Sequence, residues 1–190
     1  MGKAASKLSR EDINDLKKLT YFHSRELQQW YKGFQRDCPS GQLTKDDFIR
    51  IHKQFFPFGD PTEFSSYAFE AFDYNNNGFI NFKEFIMSLS ITSRGTLEEK
   101  LKWSFRIYDR DKDGYISYDD MLTVVRAIYK MIGLMVELKS DEKTPELRVE
   151  KIFESLDKDK DRMITLDEFT SGNKMDPAIV SALSLYSDLV

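Results

Sequence analysis

Apolar residues recur at helical spacing along the chain, and polar, acid-rich stretches interrupt them at regular intervals. Phe64, Ala68, Phe69 and Phe72 precede one such stretch, and Phe85, Ile86 and Leu89 follow it. Leu101, Phe105 and Tyr108 lead into a second; Val149, Ile152, Phe153 and Leu156 lead into a third. Upstream, Leu27 to Phe34 and Phe48 to Phe55 flank a weaker fourth. The period predicts helices on both sides of each break. Thr96 with Glu99 reads as a capping box at the start of one helix, and Thr144-Pro145 as an N-cap followed by proline at the first helical position.

The interruptions align with one another. Asp73–Glu84, Asp109–Asp120 and Asp157–Glu168 each carry oxygen-bearing side chains at positions 1, 3 and 5, and isoleucine at position 8 (Ile80, Ile116, Ile164). In the upstream copy, Arg36–Asp47, Leu43 takes the place of the isoleucine. Helix, twelve-residue acidic loop and helix is the EF-hand pattern, in which oxygens at positions 1, 3, 5, 7, 9 and 12 wrap a calcium ion. The expected fold is therefore all-α: four EF-hand units in two pairs, with short two-residue β bridges joining Leu43 to Ile80 and Ile116 to Ile164. The expected division is 1–93 and 94–190, with a linker around Ser93-Arg94-Gly95 and a polar connection looping out between Met131 and Thr144.

The loops differ as cation sites. Asp73–Glu84 meets every requirement: Asp73, Asn75 and Asn77 as side-chain ligands, Gly78 at the sharp turn, the Phe79 carbonyl, Asn81 at position 9, and Glu84 to close with two oxygens. Asp109–Asp120 offers Asp109, Asp111, Asp113, the Tyr115 carbonyl and Asp120. Aspartate is one methylene shorter than glutamate, so coordination drops toward six, which suits magnesium; a cation site with weakened calcium preference is expected. Asp157–Glu168 offers Asp157, Asp159, Asp161, the Met163 carbonyl and Glu168, but Arg162 replaces the position-6 glycine. A side chain in that left-handed turn costs about 1–2 kcal/mol, so a weak or lost site is expected. Arg36–Asp47 should bind nothing, because Arg36 supplies no acceptor and Pro39 restricts the backbone.

Composition and charge narrow the function. Of 190 residues, 32 are acidic and 28 basic, which argues against nucleic-acid binding, a function that usually needs a basic stripe. Cys38, the one cysteine, permits no intramolecular disulfide and fits a reducing cytosol. No apolar run approaches the ~20 residues of a membrane span. Met1-Gly2-Lys3-Ala4-Ala5-Ser6 matches the pattern for myristoylation on Gly2. His23 and His52 have no evident nucleophile or ligand partner, so no enzyme is expected. The N-terminal half is rich in aromatic residues, more than a small lobe readily hides, and an amphipathic partner helix would fit a groove among them. The tail from Asp176 to Val190 has helical periodicity of its own; it could plug that groove or pack on the C-terminal pair.

The whole chain resembles the frequenin, or neuronal calcium sensor, family, with fungal frequenins especially close. The resemblance rests on Met1-Gly2, Gln28-Gln29-Trp30-Tyr31-Lys32-Gly33-Phe34, Asp37-Cys38-Pro39-Ser40-Gly41, Phe55-Phe56-Pro57-Phe58-Gly59-Asp60-Pro61, Thr92-Ser93-Arg94-Gly95 and Leu183-Ser184-Leu185-Tyr186. It implies a myristoylated cytoplasmic sensor on membranes, often Golgi membranes, that regulates a target such as a phosphatidylinositol 4-kinase. It further implies a groove lined by Trp30, Phe34, Phe48, Ile51, Phe55, Phe85 and Leu89. Relatives usually have glutamate where Asp120 stands and glycine where Arg162 stands. Both departures put three-site calcium binding in question. Two other readings stay open: a constitutive adaptor with structural loops, and a calcium buffer.

Overall fold

In the computed structural model, residues 7–132 and 143–172 are described. Gly2, the connection between 133 and 142, and the tail from 173 lie outside them. Among the described residues the order is α1 (Arg10–Leu19), α2 (Ser24–Asp37), β1 (Gln42–Thr44), α3 (Lys45–Phe55), α4 (Thr62–Phe72), β2 (Phe79–Asn81), α5 (Phe82–Arg94), α6 (Leu97–Tyr108), β3 (Tyr115–Ser117), α7 (Tyr118–Ile132), α8 (Pro145–Leu156), β4 (Met163–Thr165) and α9 (Leu166–Gly172).

Four helix–loop–helix units result, in two pairs. β1 runs antiparallel to β2 with Leu43 opposite Ile80, and β3 antiparallel to β4 with Ile116 opposite Ile164. The bridges are three residues long rather than two, because the residues flanking each central position pair as well. All four central residues are buried, while their strand neighbours are not. That follows from the two-residue alternation of a strand.

α1 precedes the four units and has its own start signal. Ser9 Oγ accepts from the Asp12 N–H at 3.0 Å, and Asp12 reaches back to the Ser9 N–H at 3.2 Å, a reciprocal capping box. At the pair boundary, Ser93 and Arg94 belong to α5 rather than to a linker, and Gly95 and Thr96 alone separate α5 from α6. The expected starts are present: Thr96 accepts from the Glu99 N–H and Glu99 from the Thr96 N–H, a full box, while Thr144 caps α8 by accepting from the Leu147 N–H.

One hydrophobic core runs through both pairs. Phe48 of α3 meets Phe72 of α4 edge to face at 5.2 Å, and Phe72 meets Trp103 of α6 at 5.5 Å. Each such pair adds about 0.5–1.5 kcal/mol beyond area burial. α4 is thus the shared wall, packing on α3 on one side and on α6 and α7 on the other. No helix among the described residues is long and apolar enough to cross a membrane.

Candidate metal centre

Each loop begins at the C-terminal end of a helix and finishes in the first turn of the next. In the Asp73–Glu84 loop, Asp73 Oδ1 accepts from the Asn77 N–H at 3.1 Å and Oδ2 from the Gly78 N–H at 2.8 Å. Asn75 Oδ1 accepts from the Asn77 N–H and Asn77 Oδ1 from the Phe79 N–H. The backbone thereby turns the oxygens of positions 1, 3 and 5 inward. Asn76 and Gly78 take left-handed backbones, with φ of 54° and 83°.

Closure uses a capping box. Glu84 Oε2 accepts from the Asn81 N–H at 3.0 Å, and Asn81 Oδ1 from the Glu84 N–H at 3.0 Å. The same pair of positions caps α5 and closes the loop. Asp120 with Ser117, and Glu168 with Thr165, repeat the arrangement. The spacing N-x-x-E, S-x-x-D and T-x-x-E carries that signal in the sequence, and it brings Asn81, Ser117 and Thr165 into the sites.

The Asp73–Glu84 residues fit a divalent cation. Asp73 and Glu84 are buried, and neither forms an ion pair among the described residues. Two buried carboxylates in one loop are costly unless a cation compensates them. A bound calcium ion would supply that charge, and Asp73, Asn75, Asn77, the Phe79 carbonyl and Glu84 are the residues that would hold it.

Asp109–Asp120 keeps the loop geometry. Asp109 accepts from the Asp113 and Gly114 N–H groups at 3.1 Å each, with Lys112 at φ 62° and Gly114 at φ 90°. Carboxylate oxygens of Asp109, Asp111 and Asp113 lie within 4.8 Å of one another. Burial, and then the charges of Asp113 and Asp111, push the Asp109 carboxyl above its ordinary value. Asp120 directs its bonds to the backbone and hydroxyl of Ser117 on its own side.

In Asp157–Glu168, Arg162 adopts the turn at φ 64°, and its N–H still reaches Asp157 Oδ2 at 3.0 Å. The loop therefore keeps its shape despite the missing glycine. The Arg162 guanidinium lies 3.6 Å from Glu150 and 5.1 Å over the Tyr118 ring, so its charge is engaged by α8 and α7. Asp157, Asp159 and Asp161 bring oxygens within 4.8 Å of one another, and buried Asp157 Oδ1 has no hydrogen-bond partner among the described residues. An orphaned acceptor beside two more carboxylates is also a donor set that a cation fits.

The first loop is differently built. Arg36 pairs with Asp37 at 2.8 Å, and Asp47 with Arg50 and the Thr44 hydroxyl. Cys38 is buried, and burial raises its thiol pKa first, then the charges of Asp47 and Asp37.

Of the groove residues, Trp30 and Phe34 stand on α2, Phe48, Ile51 and Phe55 on α3, and Phe85 and Leu89 on α5. Phe34, Phe48 and Leu89 are buried; Trp30 and Phe85 are half-buried, with ring centroids 6.1 Å apart. Ile51 and Phe55 are exposed, and Phe58 beyond them is 76% exposed.

Comparison with known proteins agrees with this architecture. Residues 98–172 match the model of an EF-hand domain pair, and residues 67–90 that of an EF hand. The chain is 55% identical over 185 residues to Neuronal calcium sensor 1 of Lymnaea stagnalis, covering 97% of both chains. It is equally similar to Neuronal calcium sensor 1 of Aplysia californica. With loops, pairing and near full-length similarity in agreement, the chain belongs to the frequenin, or neuronal calcium sensor, family of non-enzymatic EF-hand sensors.

Proposed function

We propose that the chain is a calcium-dependent regulator whose principal calcium ligands are Asp73, Asn75, Asn77, the Phe79 carbonyl and Glu84. The observation that carries this reading is the pair of buried carboxylates, Asp73 and Glu84, at the two ends of a loop whose exiting helix bears Phe85 and Leu89. Moving Glu84 toward a cation moves the start of α5, and with it the aromatic residues that α5 packs on α2. EF-hand sensors respond to calcium by such helix opening. A helical target segment would then dock on Trp30, Phe34, Phe48, Ile51, Phe55, Phe85 and Leu89.

Asp109–Asp120 is proposed as a cation site that favours magnesium more than its neighbour does, and Asp157–Glu168 as a weak one. The family resemblance supports a phosphatidylinositol 4-kinase as target, myristoylation at Gly2, and a cytoplasmic place on Golgi membranes. A single myristoyl chain gives only marginal membrane binding, so target contacts or Lys3 and Lys7 would have to add to it.

The test is a calcium titration of the full chain, with and without magnesium, by calorimetry and tryptophan fluorescence. Saturable calcium binding that changes tryptophan emission, with the Asp73–Glu84 step lost in Glu84→Gln, is the expected result. Calcium binding with no change in emission or in target affinity would leave a buffer. Target binding that is equal in calcium and in chelator would establish the constitutive adaptor, a reading that the altered Asp120 and Arg162 favour.

A further inference from the structure

The second and third loops belong to different EF-hand pairs, yet they are joined at their turns. Lys112 Nζ donates a hydrogen bond to Asn76 Oδ1. The two residues hold the same position in their loops, between the ligand-bearing residues 3 and 5, and both have left-handed backbones, at φ 62° and 54°. Two further contacts brace the join. The Arg106 guanidinium lies 3.9 Å over the Tyr74 ring. Arg110 lies 3.9 Å over the Tyr67 ring and 3.0 Å from Glu70, which Lys45 also meets at 3.1 Å. Burial works against the Glu70 charge, but Lys45 and Arg110 together hold its carboxyl below the usual range.

None of Asn76, Lys112, Tyr74, Arg106 or Arg110 is at a ligand position. Each nevertheless restrains a segment that carries ligands. Asn76 is bonded on either side to Asn75 and Asn77, and Lys112 to Asp111 and Asp113. Drawing positions 3 and 5 together around a cation fixes the residue between them. The Lys112–Asn76 bond joins that residue to the turn of the other loop, so order gained in one would reach the other. A site already ordered by its neighbour loses less freedom on binding, which gives positive coupling without a new contact to the ion.

We propose that Lys112, braced by Arg106 and Arg110, is a positioning residue that couples cation binding at Asp109–Asp120 to calcium binding at Asp73–Glu84. This rests on the reading above that both loops take cations. A cation in the third loop then raises the calcium affinity of the second, and linkage requires the reverse effect to be equal.

The experiment follows the Gly78 and Gly114 amides of the full ¹⁵N-labelled chain by NMR as calcium is added; each glycine reports its own loop. Asp120→Asn weakens the third loop while keeping an N-cap partner for Ser117. The expected result is that Asp120→Asn raises the calcium midpoint at Gly78 by about fivefold, the lower end of ordinary coupling. In an Asn76→Gly background, and separately in Lys112→Gly, the same change leaves the Gly78 midpoint unmoved. Glycine keeps the left-handed turns accessible, so both variants remove the bond with little backbone strain. An equal Gly78 shift in all backgrounds, or none in the wild-type background, overturns the coupling. A Gly114 amide that does not respond to calcium or magnesium in the unaltered chain overturns the third loop as a site, and the coupling with it.

Discussion

Glu84 Oε1 lies 3.3 Å from the backbone nitrogen of Asn75, which it accepts across the full width of the loop. Its second oxygen is held by Asn81 on the near side. The carboxylate thus spans the cavity, with one oxygen toward each wall. Asp120 stands in the same position, and its Oδ2 takes both bonds from Ser117 on the near side. Asp120→Glu should therefore restore the far contact and raise calcium affinity at the third loop by about tenfold relative to magnesium, equivalent to ~1.4 kcal/mol. Competitive calcium titration in magnesium, read at Gly114, measures this. An unchanged preference would show that side-chain length at position 12 is not what sets selectivity here.

Arg162 adopts the backbone that Gly78 and Gly114 adopt, at φ 64°. The cost of that conformation for a residue with Cβ is about 1–2 kcal/mol, and ordering the loop around a cation has to retain it. Arg162→Gly should strengthen cation binding at Asp157–Glu168 by roughly tenfold. The lost contact with Glu150 offsets little, since both side chains are more than half exposed and such pairs are worth about 0–1 kcal/mol. Calorimetric titration of a variant whose other loops are inactivated gives the number. Weaker binding in Arg162→Gly would mean that the Glu150 and Tyr118 contacts hold the loop in shape.

Gly59 lies where no side chain fits. A Cβ built on it would come 1.9 Å from the Met131 carbonyl oxygen at the end of α7, a backbone atom that cannot swing aside. Next to it, the Asp60 N–H donates to the Lys130 carbonyl at 2.8 Å, and Lys130 pairs with Glu63 at 2.7 Å. Gly59→Ala should destabilise the chain by about 1–3 kcal/mol through overpacking. For a chain of this size, thermal unfolding would show a drop of roughly 2–4 °C per kcal/mol. An unaltered midpoint would show that the α3–α4 connection can leave α7 at no cost.

What could be read in the sequence was local. The ligand spacing of Asp73–Glu84, the apolar eighth positions and the Thr96–Glu99 box each lie within a dozen residues, and the pairing of Leu43 with Ile80 follows from joining like units. α1 escaped because its box ends in Asp12 rather than glutamate or glutamine, and its apolar residues are few. Strand length depended on neighbours of Ile80 and Ile116 that have no special character. The joins were hidden for another reason. Asn76 and Lys112 are 36 residues apart, and Gly59 and Met131 further, so no period or motif links them. Arg162 could be seen to be strained, but not that Glu150 and Tyr118 would draw its charge aside. The side-chain partners of a residue on one element depend on which helices pack beside it.

Glu26 and Arg94 tie α2 to the end of α5, and their titration gives the tie a pH dependence. Arg94 donates to both Glu26 oxygens, at 2.6 and 3.2 Å, and its guanidinium lies 4.5 Å over the Phe22 ring. The Arg94 bonds first, and the His23 backbone N–H second, lower the Glu26 pKa from 4.5 to about 2. A carboxyl whose folded pKa is depressed binds fewer protons folded than unfolded, so its stabilisation is complete above 4.5 and lost as pH falls toward 2. Glu26→Gln removes this dependence. Urea unfolding of both proteins at several pH values between 2 and 6 should show the difference in stability between them shrinking as pH falls through that window. A difference that stays constant over the window would mean that the carboxyl titrates alike in both states, and that the Arg94 contact does not persist in solution.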